Sequence, residues 1–256
     1  MRLTIIGSGN VATILAKRFF EKGIKIVEIY GRDITKAQAL ASIVQANAVN
    51  NLELLSQDTD VVLIALSDKA LNHIALNLSF PAALVVHTAG SVSKDVLNTI
   101  STRHGVLYPV QSIRKEMPAS TPIPFLIDGS SGTVIQEIET LAYYLTDDVK
   151  RGDDAMRLKL HVAAIFVCNF PNFLYLEAAS FCEQQQVPFS ILQDLIEETA
   201  NRIRYQHPSA VFTGPAVRGD METINKHLNL LQDTHELQQL YKQLTMHILD
   251  WKNKCN

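Results

Sequence analysis

Short β-branched runs alternate with amphipathic helical patterns through the first half of the chain, the signature of a parallel sheet wound with helices on both faces. Arg2 to Ile6 predicts a first strand and Val11 to Glu21 a first helix; Ile24 to Tyr30 predicts a second strand and Thr35 to Gln45 a second helix. The continuous apolar run from Val61 to Leu66 fits a central strand buried on both faces. Further strands are expected at Leu84 to His87, Gly105 to Tyr108 and Phe125 to Ile127, with a helix from Ser131 to Leu145 and the sheet ending near residue 150.

Beyond Gly152 the β-branched alternation stops, and patterns rich in Leu, Gln and Glu run to residue 256. The fold class predicted is α/β, a doubly wound parallel sheet over 1–150, followed by an all-helical domain over 151–256. The first helix of the second domain, about Asp153 to Glu183, should be on the order of 45 Å long and kinked at Pro171. Helices from Pro188 to Tyr205, Asp220 to Gln232 and His235 to Lys252 follow.

Composition narrows the class. Of 256 residues 47% are apolar and 19% charged, with 9 Pro and 11 Gly, which excludes collagen, low-complexity disorder and a multi-span membrane protein. A net charge of −3 offers no electrostatic footprint for nucleic-acid phosphates or anionic lipid. Three cysteines (Cys168, Cys182, Cys255) without ligand-like spacing support neither a disulfide framework nor a zinc ribbon; they read as small apolar residues in a reducing cytoplasm. The Met1-Arg2 start is not expected to act as a signal peptide, because Gly7-Ser8-Gly9-Asn10 interrupts its apolar run. Leu160 to Phe181 is long enough to cross a bilayer, but it contains His161, Asn169, Pro171, Asn172 and Glu177 and is expected to be buried between domains or subunits.

The sharpest chemical signal is Gly7-Ser8-Gly9-Asn10-Val11-Ala12, a GxGxxA pattern between a predicted strand and a predicted helix. The first glycine permits the tight turn, the second lets the backbone approach a pyrophosphate, and Ala12 lets helix pack close to strand. The helix N-terminus adds oriented N–H groups for phosphates. An NAD site wants a carboxylate at the end of the second strand, and Glu28 lies too early for that role. The chain has Tyr30-Gly31-Arg32 there, with Lys36 one turn into the next helix; two cations favour a 2′-phosphate and hence NADP(H). Ligands bind beyond the carboxyl ends of such strands. Leu66-Ser67-Asp68-Lys69, His87-Thr88-Ala89-Gly90-Ser91 and Tyr108-Pro109-Val110-Gln111-Ser112 should therefore face the nicotinamide side. Leu66, Ser67, His87, Ala89 and Gly90 join the expected cofactor contacts, and His87 reads equally well as a hydrogen-bonded histidine ending a strand.

These segments, together with Lys159-Leu160-His161-Val162-Ala163-Ala164, Asn169-Phe170 and Thr213-Gly214-Pro215-Ala216-Val217-Arg218-Gly219-Asp220 with His227, resemble one known group over the whole chain. The group is the Rossmann-like oxidoreductases with a helical C-terminal domain of unknown function. They are distant relatives of pyrroline-5-carboxylate reductase, ketopantoate reductase and the β-hydroxyacid dehydrogenases. The resemblance implies an NADP-binding domain and a dimerising helical domain. Related dehydrogenases pair a helix lysine with an asparagine one turn later, whereas the residue four after Lys159 is Ala163. At 100° per residue Lys159 and His161 point about 160° apart and cannot face one cleft; Arg157, His161, Cys168 and Asn172 share a broad face. His161 is the preferred proton partner, with Asn169 orienting a carbonyl or carboxylate and Lys159 as the competing acid. Thr213 to Asp220 reads as a helix cap or as a substrate-closing segment, and His227 lacks a second ligand at metal spacing. The expectation is a homodimeric oxidoreductase acting on a small carbonyl, imine or hydroxy acid in the interdomain cleft. A non-catalytic NADP(H) sensor or an oligomeric scaffold are the alternatives.

Overall fold

A computed structural model describes residues 1–255, with side chains through residue 254. Cys255 therefore lies outside the described side chains. The chain divides into two compact units, Met1–Asn169 and the residues from Phe170 onward.

The first unit is built on eight strands in the order β3-β2-β1-β4-β5-β6-β7-β8. They are β1 (Arg2–Ile6), β2 (Lys25–Tyr30), β3 (Asn47–Val49), β4 (Val61–Ile64), β5 (Leu84–His87), β6 (His104–Pro109), β7 (Phe125–Gly129) and β8 (Val149–Arg151). Every pair is parallel except β6 and β7, which run antiparallel with Gly105 opposite Gly129 and Pro109 opposite Phe125. Both faces are covered, and the period-2 alternation of each strand sorts its residues between them. Leu3, Ile5, Leu63 and Val86 pack on one face against α1 (Asn10–Glu21), α2 (Ile34–Val44) and α4 (Gly132–Tyr143) through Leu15, Phe19, Leu40 and Ile138. Ile6, Val62, Ile64 and Val85 turn the other way, toward Leu71 and Ile74 of α3 (Asp68–Ile74), Phe80 and Leu97. Strands β3 and β8 are three residues each, too short to show alternation.

One more helix, α5 (Asp154–Ala164), belongs to this unit. The change of chemistry near Gly152 thus precedes the change of compact unit by about one helix. Leu160 packs on Val106, Tyr108 and Leu126, and Arg157 donates from its fully buried guanidinium to the Val92 carbonyl and, at 2.8 Å, to Asp154 Oδ1. The long helix expected from Asp153 to Glu183 is interrupted: Ile165–Asn169 form a wider π-type turn before α6 (Phe170–Gln184). Pro171 has no N–H to return to the preceding turn, which is where the ladder loosens.

The second unit holds α6, α7 (Gln193–Arg202), α8 (Pro208–Val211), α9 (Pro215–Arg218), α10 (Met221–Leu230) and α11 (His235–Cys255). Among its described residues the buried apolar side chains are Cys182, Ala216, Ile224 and Leu231, far short of a core for more than eighty residues. Asp154–Gln184 is long and apolar enough to cross a membrane by length and composition, with a mean hydropathy of 1.4 over its most apolar 18-residue window. The expected burial of this stretch is not met within the chain, since Val162, Phe166, Val167, Phe173 and Leu176 are each at least half exposed.

Candidate nucleotide and proton-transfer site

The carboxyl end of β1 delivers Gly7 into a turn that no other residue tolerates. Its φ is +132°, and a Cβ would lie 2.2 Å from the Ala65 carbonyl oxygen on the neighbouring strand connection. Gly9 then precedes α1 without any side-chain cap, and no acidic side chain occupies the first turn. A Cβ on Gly9 would meet nothing within 4 Å. The N-terminal N–H groups of α1 are therefore open to an anion in a space that a larger residue would fill.

This turn floors a cleft of about 880 Å³ lined by Gly7, Ser8, Gly9, Tyr30, Gly31, Arg32, Lys36, Leu66 and Ser67. Asp33, Leu52, Ala70, His73, Ile74 and Asn77 complete its walls. Arg32 and Lys36 are exposed. Lys36 Nζ lies 3.3 Å from Asp33, whose carboxylate caps α2 by accepting from the Thr35 and Lys36 amides. Those contacts, the Lys36 amide first, hold the Asp33 carboxyl below its ordinary value. Among the described residues no carboxylate pairs with Arg32, whereas Lys36 has Asp33. Glu28 instead accepts from the Ser56 amide at 2.9 Å and serves the fold. The open helix terminus, the Gly9 cradle and the Arg32 side match a dinucleotide with a 2′-phosphate. Arg32→Ala is expected to weaken NADPH binding about 10- to 100-fold while leaving NADH unchanged, as a lost charge-assisted pair would; fluorescence titration with both nucleotides checks this.

Two strands further along, a second cluster forms. Gly90 follows β5, Tyr108 lies in β6, and His161 projects from α5. Tyr108 Oη lies 3.1 Å from His161 Nδ1, with the rings edge-on at 78° and 6.0 Å between centroids. A Cβ on Gly90 would come within 2.7 Å of His161 Nδ1, so its glycine admits the imidazole. Burial pushes the Tyr108 phenol up, and the charge of Arg157 acts against that. His87 sits beneath, fully buried, with Nδ1 accepting from the Ala89 amide at 3.1 Å. Burial first, and the Arg157 charge second, lower it to about 4, so it is neutral near pH 7. Its side chain is closed off from solvent, and neither His87 nor Ala89 nor Gly90 lines the nucleotide cleft. Ser91 donates to Asp68, tying the β5 loop to the start of α3.

The structure brings His161 into this cluster and leaves Lys159 and Asn169 exposed. Lys159 is half a turn round α5 from His161, as the helical spacing requires. In the second unit, Asp220 caps α10 by accepting from the Thr223 amide at 3.0 Å and its hydroxyl at 2.8 Å, and His227 Nδ1 meets Tyr241 Oη at 2.7 Å. The Thr213 to Asp220 segment thus has the local contacts of a cap. Sequence reasoning missed Asp33, Leu52, His73 and Asn77 as cleft walls. Asp33 was findable as the helix-capping residue of α2, whereas His73 and Asn77 depended on the unread helix α3.

A glycine turn between β1 and α1, a cleft at the strand ends and sheet order 3-2-1-4-5-6 define a dinucleotide-binding fold of the Rossmann type. Residues 2–90 match the family model "NADP oxidoreductase coenzyme F420-dependent", and residues 123–248 match "Domain of unknown function (DUF2520)". The crystal structure of the "putative NADP oxidoreductase" of Bacteroides fragilis is 34% identical, with 97% of this chain and 98% of that one covered and a TM-score of 0.90. The chain belongs to that NADP oxidoreductase family. A Thermotoga maritima protein (20% identical, 98% of each chain covered, TM-score 0.73) shares the fold. So does a reductive aminase from Aspergillus terreus solved with NADPH and ethyl levulinate (16% identical, 97% and 93% covered, TM-score 0.71). No curated protein matches the chain.

Proposed function

We propose that this protein moves a hydride between NADP(H) and a small carbonyl, imine or hydroxy-acid substrate, with His161 as the proton partner. The observation that carries the reading is the placement of His161 beside Gly90 and Tyr108, at the ends of the strands next to those that floor the nucleotide cleft. Bound NADPH would supply the hydride. The chain's own residues then have three tasks: the Gly7–Val11 turn holds the pyrophosphate, Arg32 reads the 2′-phosphate, and His161 gives or takes the proton. Its ring is partly exposed and Tyr108 holds one nitrogen, which leaves the other for a substrate atom.

The test is an NADPH-oxidation screen over keto acids, imines and aldehydes. With any compound turned over, His161→Ala is expected to lower the rate about 10²- to 10⁴-fold, the range of a lost general acid. Lys159→Ala is expected to leave it near wild type. NADPH binding with no turnover across the screen would favour a non-catalytic nucleotide sensor instead.

The helical unit supports a homodimer in the same reading. Four buried apolar side chains do not stabilise it alone, and α6, α10 and α11 frame an apolar groove of about 440 Å³ lined by Leu174, Phe181, Leu231, Leu240 and Leu244. A second copy, carrying the same exposed apolar face, is the partner of matching chemistry. It would also cover the stretch whose hydropathy resembles a membrane span.

A further inference from the structure

A neutral imidazole can give up the proton on one nitrogen cheaply only if the other nitrogen is re-protonated as it does so. The environment of His161 answers that need. Its Nδ1 faces Tyr108 Oη at 3.1 Å, and Gly90 closes the same side, so Nδ1 is turned away from any approaching substrate while Nε2 remains. The hydroxyl is the group of the two that carries a donor proton in every neutral state, and donation to Nδ1 fixes the hydrogen of His161 on Nε2.

We propose that Tyr108 is a relay residue: its hydroxyl holds His161 in the Nε2–H tautomer and passes its own proton to Nδ1 as the Nε2 proton leaves for the substrate. This rests on His161 being the proton partner. In the reduction, the substrate carbon accepts the hydride of bound NADPH and its oxygen or nitrogen accepts the Nε2 proton. The Nε2–H bond breaks, the Tyr108 O–H bond breaks, Nδ1–H forms, and the negative charge ends on the phenolic oxygen, to be neutralised by a proton from water.

Burial works against that charge, and one nearby cation works for it. The buried cation acting on Tyr108 is Arg157, one turn before His161 on the same face of α5. Its Nη2 is committed to Val92 and Asp154, but its Nε and Nη1 are buried without a hydrogen-bond partner among the described residues. Donors left so are costly unless an acceptor arrives at some stage. The opposing charges are Asp68, which acts on Tyr108 and is engaged by Ser91, and Asp154, which is engaged by Arg157 and the Lys94 amide. His87 below contributes no charge near neutrality.

The test uses full-length protein labelled with ¹⁵N-histidine, at pH 8, together with turnover of whichever compound the NADPH screen reveals. Tyr108→Phe keeps the ring and removes only the hydroxyl. Wild type is expected to show His161 as the Nε2–H tautomer by its ¹⁵N shifts, and Tyr108→Phe a mixture of both tautomers. With NADPH affinity and KM unchanged, kcat of Tyr108→Phe should fall about 10- to 100-fold, part of the general-acid contribution. An Nδ1–H tautomer in wild type, or an unchanged kcat in Tyr108→Phe, overturns the relay. If His161→Ala keeps full turnover, or no compound is turned over, the proton-partner reading fails and the relay with it. The tautomer spectra then show separately whether the Tyr108 hydrogen bond itself exists.

Discussion

Gly7→Ala is expected to lose NADPH binding and about 2–5 kcal/mol of stability together, the sum of left-handed strain and a forced shift of packed backbone. The cause is double. The residue sits at φ +132°, and its new methyl would press on the Ala65 carbonyl just past the end of β4. Neither can be relieved by a side-chain rotation. Gly9→Ala is the informative companion, because a Cβ there meets no protein atom within 4 Å. It should melt like wild type while losing most of the NADPH-induced rise in melting temperature, since the methyl occupies space meant for the pyrophosphate. Urea unfolding and thermal shift with NADPH measure both. A Gly7→Ala protein that melts with wild type and still responds to NADPH would contradict the close packing of the turn against β4.

The second large effect concerns the helical unit. Wild type is expected to sediment at twice its 28.5 kDa chain mass. The double variant Phe173→Glu/Leu176→Glu, which places two carboxylates on one exposed apolar face of α6, should run as a monomer. Because so few apolar side chains are buried inside the unit, separation should also expose α6 and α11 to protease while the sheet-bearing unit still binds NADPH. Sedimentation velocity and limited proteolysis read the two consequences independently. A wild-type monomer at micromolar concentration with a protease-resistant helical unit would show that the apolar face has no partner copy.

Strands buried on both faces, such as β4 and β5, were legible from the sequence because continuous apolar runs have few other uses in a soluble chain. The Gly7 turn was legible because its chemistry is local: strand, glycine, helix terminus. β3, β8 and α3 were not, since pieces this short carry too little periodicity to stand out from their loops. The antiparallel entry of β7 was invisible too, because strand direction depends on the path of the connecting segment. At the site, helical geometry was enough to separate Lys159 from His161. Nothing in sequence spacing could pair His161 with Tyr108, 53 residues away, or bury Arg157 beneath the β5 loop. Both follow from α5 docking on the sheet through Leu160, a tertiary event with no local signature.

That docking has a consequence for how such a protein can change over time. His161, the proposed proton partner, is carried by the same compact unit as the nucleotide turn, on a helix that Arg157 fastens to the loop after β5. In the proposed function, hydride and proton chemistry would therefore be inherited as one module. The residues after Asn169 could then accumulate substitutions without each change having to re-align the reacting groups.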